Sequence, residues 1–347
     1  MLDRLATLAD DRYFGGMDTL TGLLDGPRAR GAFLLRSIMN PPWSMRIQDR
    51  APLSLITLVR GNAWITFDGD EPTALHPGDV AIVRGPDPYT VSDDPESPVQ
   101  VIIHPGQRCT SVDGTDQSEL MGLGVRTWGD SLDGETVMLS GTYQLHSEVS
   151  RRLLDALPTL LIRPGATGDR TLVGLLGQEM LSTGAAQELV LDRLLDLLLV
   201  SVLRTWLDSP DSGVPGWHQA QGDAIVGPAL RMLHEDPARA WTVADLAAEA
   251  GVSRASLARR FNDLVGEPPM SYLTGWRLTL AADMLRTNNV TIGTVARKVG
   301  YGSSFALSAA FKRERGLSPQ EYRNSSGSTP APTPDTNGRV VWLTENV

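Results

Sequence analysis

Few side chains in this sequence of 347 residues could take part in redox or metal chemistry, since it contains one cysteine and five histidines. The thiol of Cys109 would sense oxidants if it were exposed and partly ionised. Arg108 beside it favours the thiolate, and Pro105-Gly106 indicates an open loop, so a redox sensor is one interpretation. The alternatives are a small packed residue and a contact in an effector pocket.

The histidines do not form a metal-binding pattern. His76 adjoins a turn and His104 ends an apolar run, and these two residues lack the ligand spacing of a transition-metal site. We expect both to be structural or surface residues. The sequence therefore predicts no metal, no cofactor and no catalytic residue.

A different chemistry, hydrogen bonding to DNA bases, is indicated by residues 241–268, WTVADLAAEAGVSRASLARRFNDLVGEP. Thr242 can cap a first helix whose apolar residues recur at i, i+3 and i+4. Gly251 is placed to end that helix, and Ser253 is placed to cap the next. A helix, a short glycine turn and a second capped helix form the helix-turn-helix pattern, whose second helix fits the major groove of DNA.

The second helix has distinct inner and outer faces. Leu257 and Phe261 are four residues apart and should face the core. Small residues on the other face would let the backbone approach DNA, and Arg259 could reach guanine O6 and N7 or a phosphate. The predicted DNA-binding residues here are Ser253, Arg254, Ala255, Ser256, Ala258 and Arg259.

The pattern recurs in residues 291–323, TIGTVARKVGYGSSFALSAAFKRERGLSPQEYR. Gly300 makes the turn, and Ser303 caps a helix that runs through Phe311. Ser303 lies 50 residues after Ser253 and plays the same part. Residues 271–286 are predicted to form a helix that joins the two units.

Residues 222–323 resemble the DNA-binding domain of the AraC/XylS family. The resemblance is carried by W-T-V-x-x-L-A-x-x-A-G-x-S-x-x-x-L-x-R-x-F at 241–261, by W-R-L-x-x-A-x-x-x-L at 276–285, and by V-G-Y-x-S-x-x-x-x-S-x-x-F-K-R-x-x-G-x-S-P-x-x-Y-R at 299–323. It implies that both recognition helices enter successive major-groove segments on one face of the DNA. It also implies that the second helix binds DNA through Ser303, Ser304, Phe305, Ser308 and Ala309. Lys312 is a further predicted DNA-binding residue.

One position departs from the family pattern. Ala309 stands where many members carry a long basic side chain, so readout of DNA shape or phosphate contact is expected at the second helix. The alternative interpretation of the basic residues is an ordinary solvated surface; it applies to Arg260, Lys312, Arg313 and Arg315.

Residues 31–104 contain short runs rich in Val, Ile, Leu and Thr, separated by Gly, Pro and Asp. Such runs predict strands of a sandwich or barrel. The predicted strands are 31–38, 52–60, 62–69, 79–85 and 99–104, with one more at 137–145. No periodicity is visible in residues 110–135.

From Ser147 the apolar period becomes helical, with helices predicted at 149–157, 171–182 and 185–207, the last two broken at Thr183-Gly184. The helix at 185–207 is apolar on more than one face and must be covered on two sides. It is either a core helix or a dimerisation helix. We favour dimerisation, because little else nearby is available to cover it.

Residues 15–207 resemble the cupin-type sensor domain of some AraC/XylS regulators, through LVRGNAWITFDG, LHPGDVAIVRG and GTYQLHSEVSRRLLDALPTLLI. No histidine precedes His76, and Tyr89 stands where cupin enzymes carry a metal-binding histidine. The expected function is therefore a transcription regulator controlled by a small molecule or a redox signal; a cupin enzyme with an attached DNA-binding domain is the alternative. Trp43, Trp64 and Tyr89, with Cys109, are candidate effector contacts, and the three aromatic residues could equally be barrel core.

Charge is distributed as this organisation requires. Residues 219–323 carry 13 basic and 10 acidic residues, whereas the whole chain has a net charge of −10. The predicted fold is α+β, with an antiparallel cupin-like barrel and an all-α tandem helix-turn-helix domain. The predicted divisions are a sensor at 1–146, a helical dimerisation segment at 147–208, a linker at 209–221, the DNA-binding domain at 222–323 and a disordered tail at 324–347.

The expected partners are double-stranded DNA, a second copy of the chain, RNA polymerase and a small-molecule effector. The first 14 residues carry neither a basic start nor a long apolar run, so no signal peptide is predicted. Together with the single cysteine, this favours a cytoplasmic protein. Charges interrupt the most apolar stretch, 186–207, so no membrane span is expected.

Overall fold

The computed structural model describes residues 33–117, 120–124, 126–143, 151, 154–165, 167–182, 184–209, 216–286, 290–326, 333–334 and 340–341. The described residues up to 209 form one compact unit, and those from 216 form a second. The N-terminal segment, on which the signal-peptide prediction rests, lies outside the described residues. None of the helices in the described ranges is long and apolar enough to cross a lipid bilayer.

The first unit contains two β-sheets. The strands of the seven-stranded sheet, in spatial order, are β10 (Gly122–Gly124), β11 (Thr127–Gly129), β1 (Phe33–Met39), β12 (Thr136–Tyr143), β3 (Leu53–Arg60), β6 (Val80–Arg84) and β13 (Leu160–Arg163). Those of the six-stranded sheet are β5 (Thr73–Leu75), β4 (Ala63–Phe67), β7 (Tyr89–Ser92), β2 (Ser44–Ile47), β8 (Val101–Ile103) and β9 (Cys109–Ser111). Adjacent strands are antiparallel, except for the parallel pairs β1–β11 and β2–β8.

One hydrophobic core lies between the two sheets, because buried residues of both belong to a single cluster. In β4 the buried residues Ala63 and Ile65 alternate with partly exposed ones, as a strand with one buried face requires. The prediction of a β-rich cupin-like fold is confirmed. The described strands are hydrogen-bonded as two separate sheets, however, and not as one closed barrel.

All six predicted strands are present, but seven other described strands of the first unit, each of three or four residues, were missed. Three of them belong to the stretch 110–135, which has no visible periodicity. The strands β10 and β11 lie inside this stretch, and β9 overlaps its start. The strand β13 lies inside the predicted helical segment 147–208 and pairs with β6. Strands of three or four residues have too few side chains to display an alternating pattern.

Two helices pack on the outer face of the seven-stranded sheet: α1 (Thr167–Glu179) and α2 (Gln187–Leu207). A Cβ atom on Gly141 of β12 would lie 2.7 Å from the side chain of Leu195, so only glycine lets α2 approach this closely. The Tyr143 hydroxyl donates a hydrogen bond of 3.0 Å to the Leu195 carbonyl oxygen.

The expectation that little else nearby is available to cover α2 is therefore wrong. Eight of its residues are buried within the single chain: Leu191, Leu195, Leu198, Leu199, Val202, Leu203, Trp206 and Leu207. The sheet and α1 supply the cover. The strand β3 shows the same cover from the sheet side, because its first six residues are all buried.

The second unit is helical. Its elements are α3 (Gly216–Gln219), α4 (Val226–Glu235), α5 (Val243–Glu249), α6 (Arg254–Val265), α7 (Pro269–Arg286), α8 (Ile292–Lys298), α9 (Ser304–Arg315) and α10 (Pro319–Ser326). The helices α5 and α6 form the first helix-turn-helix and α8 and α9 the second. Both pairs were predicted.

The long helix α7 serves both helix-turn-helix units. Tyr272 and Leu273, near its start, belong to the core of the first helix-turn-helix. Leu278 and Leu285, further along, belong to the core of the second helix-turn-helix. Because one rigid helix supplies side chains to both cores, it fixes the geometry of one unit against the other.

Two predicted flexible segments are partly ordered. Residues 216–222 of the predicted linker region form helical turns, and Ala220 is fully buried against the first helix-turn-helix core. In the predicted tail, residues 324–326 complete α10, and residues 333–334 pair with 340–341 as a short ribbon. Composition alone misled here, since Gly and Ser predict flexibility even where Trp217 and Ala220 anchor the segment.

Candidate nucleic-acid interface

The first recognition helix, α6, begins at a cap and ends at a glycine. The Ser253 hydroxyl accepts a hydrogen bond of 3.2 Å from the Ser256 amide, and Gly266 ends the helix at φ 90°. Leu257 and Phe261 are fully buried. The predicted cap Ser253 and the predicted core residues Leu257 and Phe261 are confirmed, whereas the end of the helix at Gly266 was not predicted.

The outer face of α6 is free of the core. Arg254, Ala255 and Arg259 are exposed, and Ser256 and Ala258 are partly exposed. Ala255 and Ala258 extend no further than a methyl group, so the helix surface between the arginines is shallow. This face has the shape that close approach to DNA bases requires.

The neighbouring arginines Arg259 and Arg260 have different environments. Arg260 makes hydrogen bonds to both carboxylate oxygens of Asp223, the shortest of them 2.6 Å from Nη2 to Oδ2. This pair raises the pKa of Arg260 and holds the pKa of Asp223 well below its usual range. Arg259, in contrast, forms no ion pair with any described residue, so its guanidinium is available to an external ligand.

Asp223 also organises the neighbouring helix. Its Oδ1 accepts hydrogen bonds of 2.9 Å from the amides of Ile225 and Val226 at the start of α4. Asp223 therefore connects α4 to α6. Sequence analysis missed this role, although an Asp three residues before a helix is a recognisable capping signal.

The second recognition helix, α9, repeats the first. The Ser303 hydroxyl accepts a hydrogen bond of 3.1 Å from the Ala306 amide, and Gly316 ends the helix at φ 75°. Leu307 and Phe311 are fully buried. The helix continues one turn past the predicted end at Phe311.

A large apolar ring stands out on the surface of α9. Phe305, in its first turn, is 82% exposed, although phenylalanine is normally buried. Ser303, Ser304, Ala309 and Lys312 are also exposed, and Ser308 is partly exposed. A free aromatic ring at the start of a recognition helix can contact a thymine methyl group.

The basic residues near the end of α9 do not all point to solvent. The Arg315 guanidinium lies 5.6 Å from the ring centre of Phe311 and 5.8 Å from that of Tyr322. Lys312 and Arg313 are exposed. The solvated-surface interpretation therefore fits Arg313 better than Arg315.

The turn of the second helix-turn-helix is held by contacts with backbone atoms. Gly300 has φ 82°, and a Cβ atom there would lie 2.6 Å from the Ala238 carbonyl oxygen. Arg277 of α7 donates hydrogen bonds to the carbonyl oxygens of Pro237 (2.6 Å) and Arg239 (2.7 Å). Burial lowers the pKa of Arg277. These contacts fix the turn before α9 to the loop after α4.

The candidate thiol in the first unit is buried. Cys109 begins strand β9, is 7% exposed, and its Sγ lies 3.7 Å from the Gln107 carbonyl oxygen. Burial, with a smaller effect of Asp116, raises the pKa of the thiol to about 11. Of the three interpretations, the small packed residue fits this environment and the exposed, partly ionised thiol does not, because the strand carries the side chain into the sheet core.

The aromatic effector candidates lie in different places. Tyr89 is buried in the core, and burial raises the pKa of its hydroxyl. Trp64 occupies the outward position in β4, between the buried Ala63 and Ile65. Trp43, one of the four candidates, lines a recess in the described part of the sheets.

The two described histidines of the first unit make ordinary polar contacts. His104 Nε2 lies 2.9 Å from the Thr110 hydroxyl, and His76 Nδ1 lies 3.4 Å from the Asn62 side-chain oxygen. Over the described residues, no group of three or more His, Cys, Asp or Glu side chains is arranged to hold a metal ion.

Comparison with known proteins assigns both halves. Residues 18–208 match the family model described as a cupin, and residues 246–325 match one described as a helix-turn-helix domain. A putative AraC-like transcription regulator of Streptomyces lividans is 35% identical over 312 residues, covering 88% of this chain and 98% of the relative. A protein of the same description from Streptomyces antibioticus is 32% identical with the same coverage. The HTH-type transcriptional regulator AlkR of Acinetobacter baylyi is 29% identical, covering 89% of this chain and all of AlkR.

Proposed function

Because the chain belongs to the AraC-like transcription regulators that carry an N-terminal cupin domain, we propose that the two recognition helices read an operator while the cupin domain receives a small-molecule signal. The observation that carries this proposal is the pair of capped helices, α6 and α9, whose outer faces are exposed and whose inner faces are anchored in two cores joined by α7.

The proposed DNA contacts follow from exposure. In α6 they are Ser253, Arg254, Ala255, Ser256, Ala258 and Arg259, and in α9 they are Ser303, Ser304, Phe305, Ser308, Ala309 and Lys312. Arg259 is the strongest candidate for base readout because its guanidinium has no ion-pair partner among the described residues, whereas that of Arg260 is held by Asp223. Ser253 and Ser303 contribute through the caps that set the helix starts.

The test is the affinity of the full chain for its operator and for random DNA, with the operator first identified by genome-wide mapping of bound sites. Arg259→Ala should weaken operator binding by about 1–3 kcal/mol, while random DNA is affected much less. Arg259→Lys, which keeps the charge but loses the two-pronged hydrogen bond, should recover only part of the loss. Equal losses on both DNAs would limit Arg259 to a phosphate contact, and undiminished binding would remove it from the interface.

We propose that the regulator acts as a homodimer. We also propose that it works in the cytoplasm, where its DNA target resides, and that it contacts RNA polymerase when it activates transcription. The support for the dimer is an exposed apolar stripe on α2, where Val190 is 41% exposed and Leu197, seven residues on, is 55% exposed. Leu195 and Leu199, which are buried in the single chain, are not part of this stripe. Light scattering should show a dimer that Leu197→Glu converts to monomer; a monomeric wild type at micromolar concentration contradicts the proposal.

We propose that the cupin domain has no catalytic role. Tyr89 occupies the position where cupin enzymes carry a histidine ligand, and its ring is packed in the core. The alternative of an enzyme with a DNA-binding appendage predicts stoichiometric iron, nickel or manganese in the purified protein. Metal analysis decides between the two.

A further inference from the structure

The first unit contains a recess of about 250 Å³ between the ends of its two sheets. Its buried floor is formed by Met39, Trp43, Ser44, Met45, Val101 and Trp128. The partly or fully exposed side chains of Gln100, Gln117 and Asp130 stand at its mouth. The recess is therefore apolar inside and polar at the opening, as small-molecule sites are.

Three hydrogen-bond donors on the floor have no partner among the described residues. They are the indole N–H groups of Trp43 and Trp128 and the hydroxyl of Ser44, and all three residues are more than nine-tenths buried. Buried polar side chains in folded proteins are normally paired, since water cannot compensate them. The three residues that carry these unpaired donors all line one recess, which indicates that an occupant of the recess supplies the acceptors.

The lining residues define the charge of this occupant. No lysine or arginine lines the recess in the described part of the chain, and the Asp130 carboxylate stands at the mouth. The backbone N–H of Asn40 donates hydrogen bonds of 3.1 Å to both carboxylate oxygens of Asp130, and these bonds fix the carboxylate in place. An anionic ligand would lose its hydration without gaining a cation, so the acceptor atoms must be uncharged.

We propose that this recess binds a small, uncharged and largely apolar molecule whose carbonyl or ether oxygens accept hydrogen bonds from Trp43, Trp128 and Ser44. The indole faces suit a planar ring, and the flexible side chains of Met39 and Met45 adapt to its outline. The volume lies just below the range of about 300–1,000 Å³ that holds most organic ligands, which restricts the occupant to one or two rings.

The occupant also links the two sheets. Trp43 and Ser44 lie at the start of β2 in the six-stranded sheet, whereas Trp128 lies in β11 of the seven-stranded sheet. A ligand that accepts hydrogen bonds from both sides ties one sheet to the other. This inference rests on the proposed function, for which it supplies the chemical class of the signal.

The test is binding of three planar carbonyl compounds, 1-indanone, coumarin and 2-acetylnaphthalene, to the full-length chain by ligand-observed NMR and calorimetry. Their oxygen-free counterparts are indane, 1,2-dihydronaphthalene and 2-ethylnaphthalene, and indane-1-carboxylate is the anionic probe. At least one carbonyl compound should bind about three- to tenfold more tightly than its hydrocarbon counterpart, the gain expected from a hydrogen bond. The carboxylate should bind more weakly than 1-indanone.

Variants locate the site. Trp43→Phe and Trp128→Phe remove one donor each and keep an aromatic ring, so each should reduce carbonyl binding by about three- to tenfold and leave hydrocarbon binding unchanged. Ser44→Ala provides a third variant. Trp64 does not line the recess, so Trp64→Phe is the matched control. Thermal unfolding of each variant verifies that it is folded.

Three results would overturn the proposal: no carbonyl compound binds, each hydrocarbon binds as tightly as its carbonyl counterpart, or the Trp43 and Trp128 variants bind like the Trp64 control. The first of these would leave ordered water as the occupant. Operator affinity is measured on the same samples. Operator binding without probe binding refutes this inference alone, whereas loss of operator specificity in the unmodified chain refutes the proposed function.

Discussion

Replacing Gly300 by alanine should damage the second helix-turn-helix far more than the equivalent change at Gly251 damages the first. The two glycines make the turn before the recognition helix in their respective units, and both have positive φ, 67° at Gly251 and 82° at Gly300. Alanine in this conformation costs about 1–2 kcal/mol at either site. The backbone term is therefore shared, and only the surroundings differ.

The surroundings differ sharply. A Cβ atom at Gly251 has no neighbour within 4 Å, whereas one at Gly300 lies 2.6 Å from the Ala238 carbonyl oxygen and 2.9 Å from the Ala238 Cα. The loop at Ala238 is held by the hydrogen bonds of Arg277 to Pro237 and Arg239, so it cannot withdraw freely. Overpacking adds about 1–3 kcal/mol, giving a total loss of about 2–5 kcal/mol for Gly300→Ala.

Hydrogen exchange of the full-length chain, read by mass spectrometry, measures these losses of stability separately in each helix-turn-helix. Gly251→Ala should speed exchange in α5 and α6 by about five- to thirtyfold. Gly300→Ala should speed exchange in α8 and α9 by at least about thirtyfold and leave α6 less affected. Equal effects of the two substitutions, each on its own unit, would refute the argument that close packing against Ala238 requires glycine.

Three further outcomes are expected. Phe305→Ala should weaken operator binding by about 1 kcal/mol and relax base preference at one position, as measured by binding to a set of single-base operator variants; unchanged preference would exclude the ring from readout. Burial, then the charges of Glu188 and Asp196, raises the pKa of Asp192 to about 6. The contribution of the protonated Asp192 carboxyl to the free energy of unfolding is therefore full below about pH 4 and is lost as pH rises through 6. Asp192→Asn should therefore stabilise the chain by about 1 kcal/mol at pH 8, after allowance for solvent screening, and change little at pH 4 in thermal melts; a uniform effect at both pH values contradicts this. Cys109 should react with a thiol reagent at pH 7 about 100-fold more slowly in the folded chain than in urea, and DNA binding by wild type and Cys109→Ser should respond alike to peroxide; a response confined to wild type would restore the thiol as a sensor.

The second unit was predictable because its signals are local. Thr242, Ser253 and Ser303 are caps that act within three residues, and the spacing of Leu257 and Phe261 follows directly from the helical period. Repetition of the same arrangement 50 residues later made chance agreement improbable. The contacts that join helices and loops within this unit, such as Asp223 with Arg260 and Arg277 with Pro237, connect residues about 40 apart and leave no periodic trace.

The first unit was harder to predict because its essential contacts are long-range. The cover of α2 by β12 depends on Gly141, a residue more than 50 positions before Leu195, and the apolar pattern of the helix alone could not identify that cover. The sequence left several interpretations of Cys109 open for a related reason: its neighbours in sequence include Arg108, but its neighbours in space are core residues. The recess was also hidden, because Trp43 and Trp128 are brought together only by the pairing of distant strands.

The central claim is that one chain reads DNA with two helices, α6 and α9, held in fixed relation by α7. Methylation interference on the strongest genomic site of the full-length chain tests it most directly. We predict that each chain contacts two major-groove segments on one face of the DNA, about 10–10.5 base pairs apart, and that the segments are selected by sequence. A single contacted segment per chain, or an interference pattern no different from that of random DNA, would contradict this account.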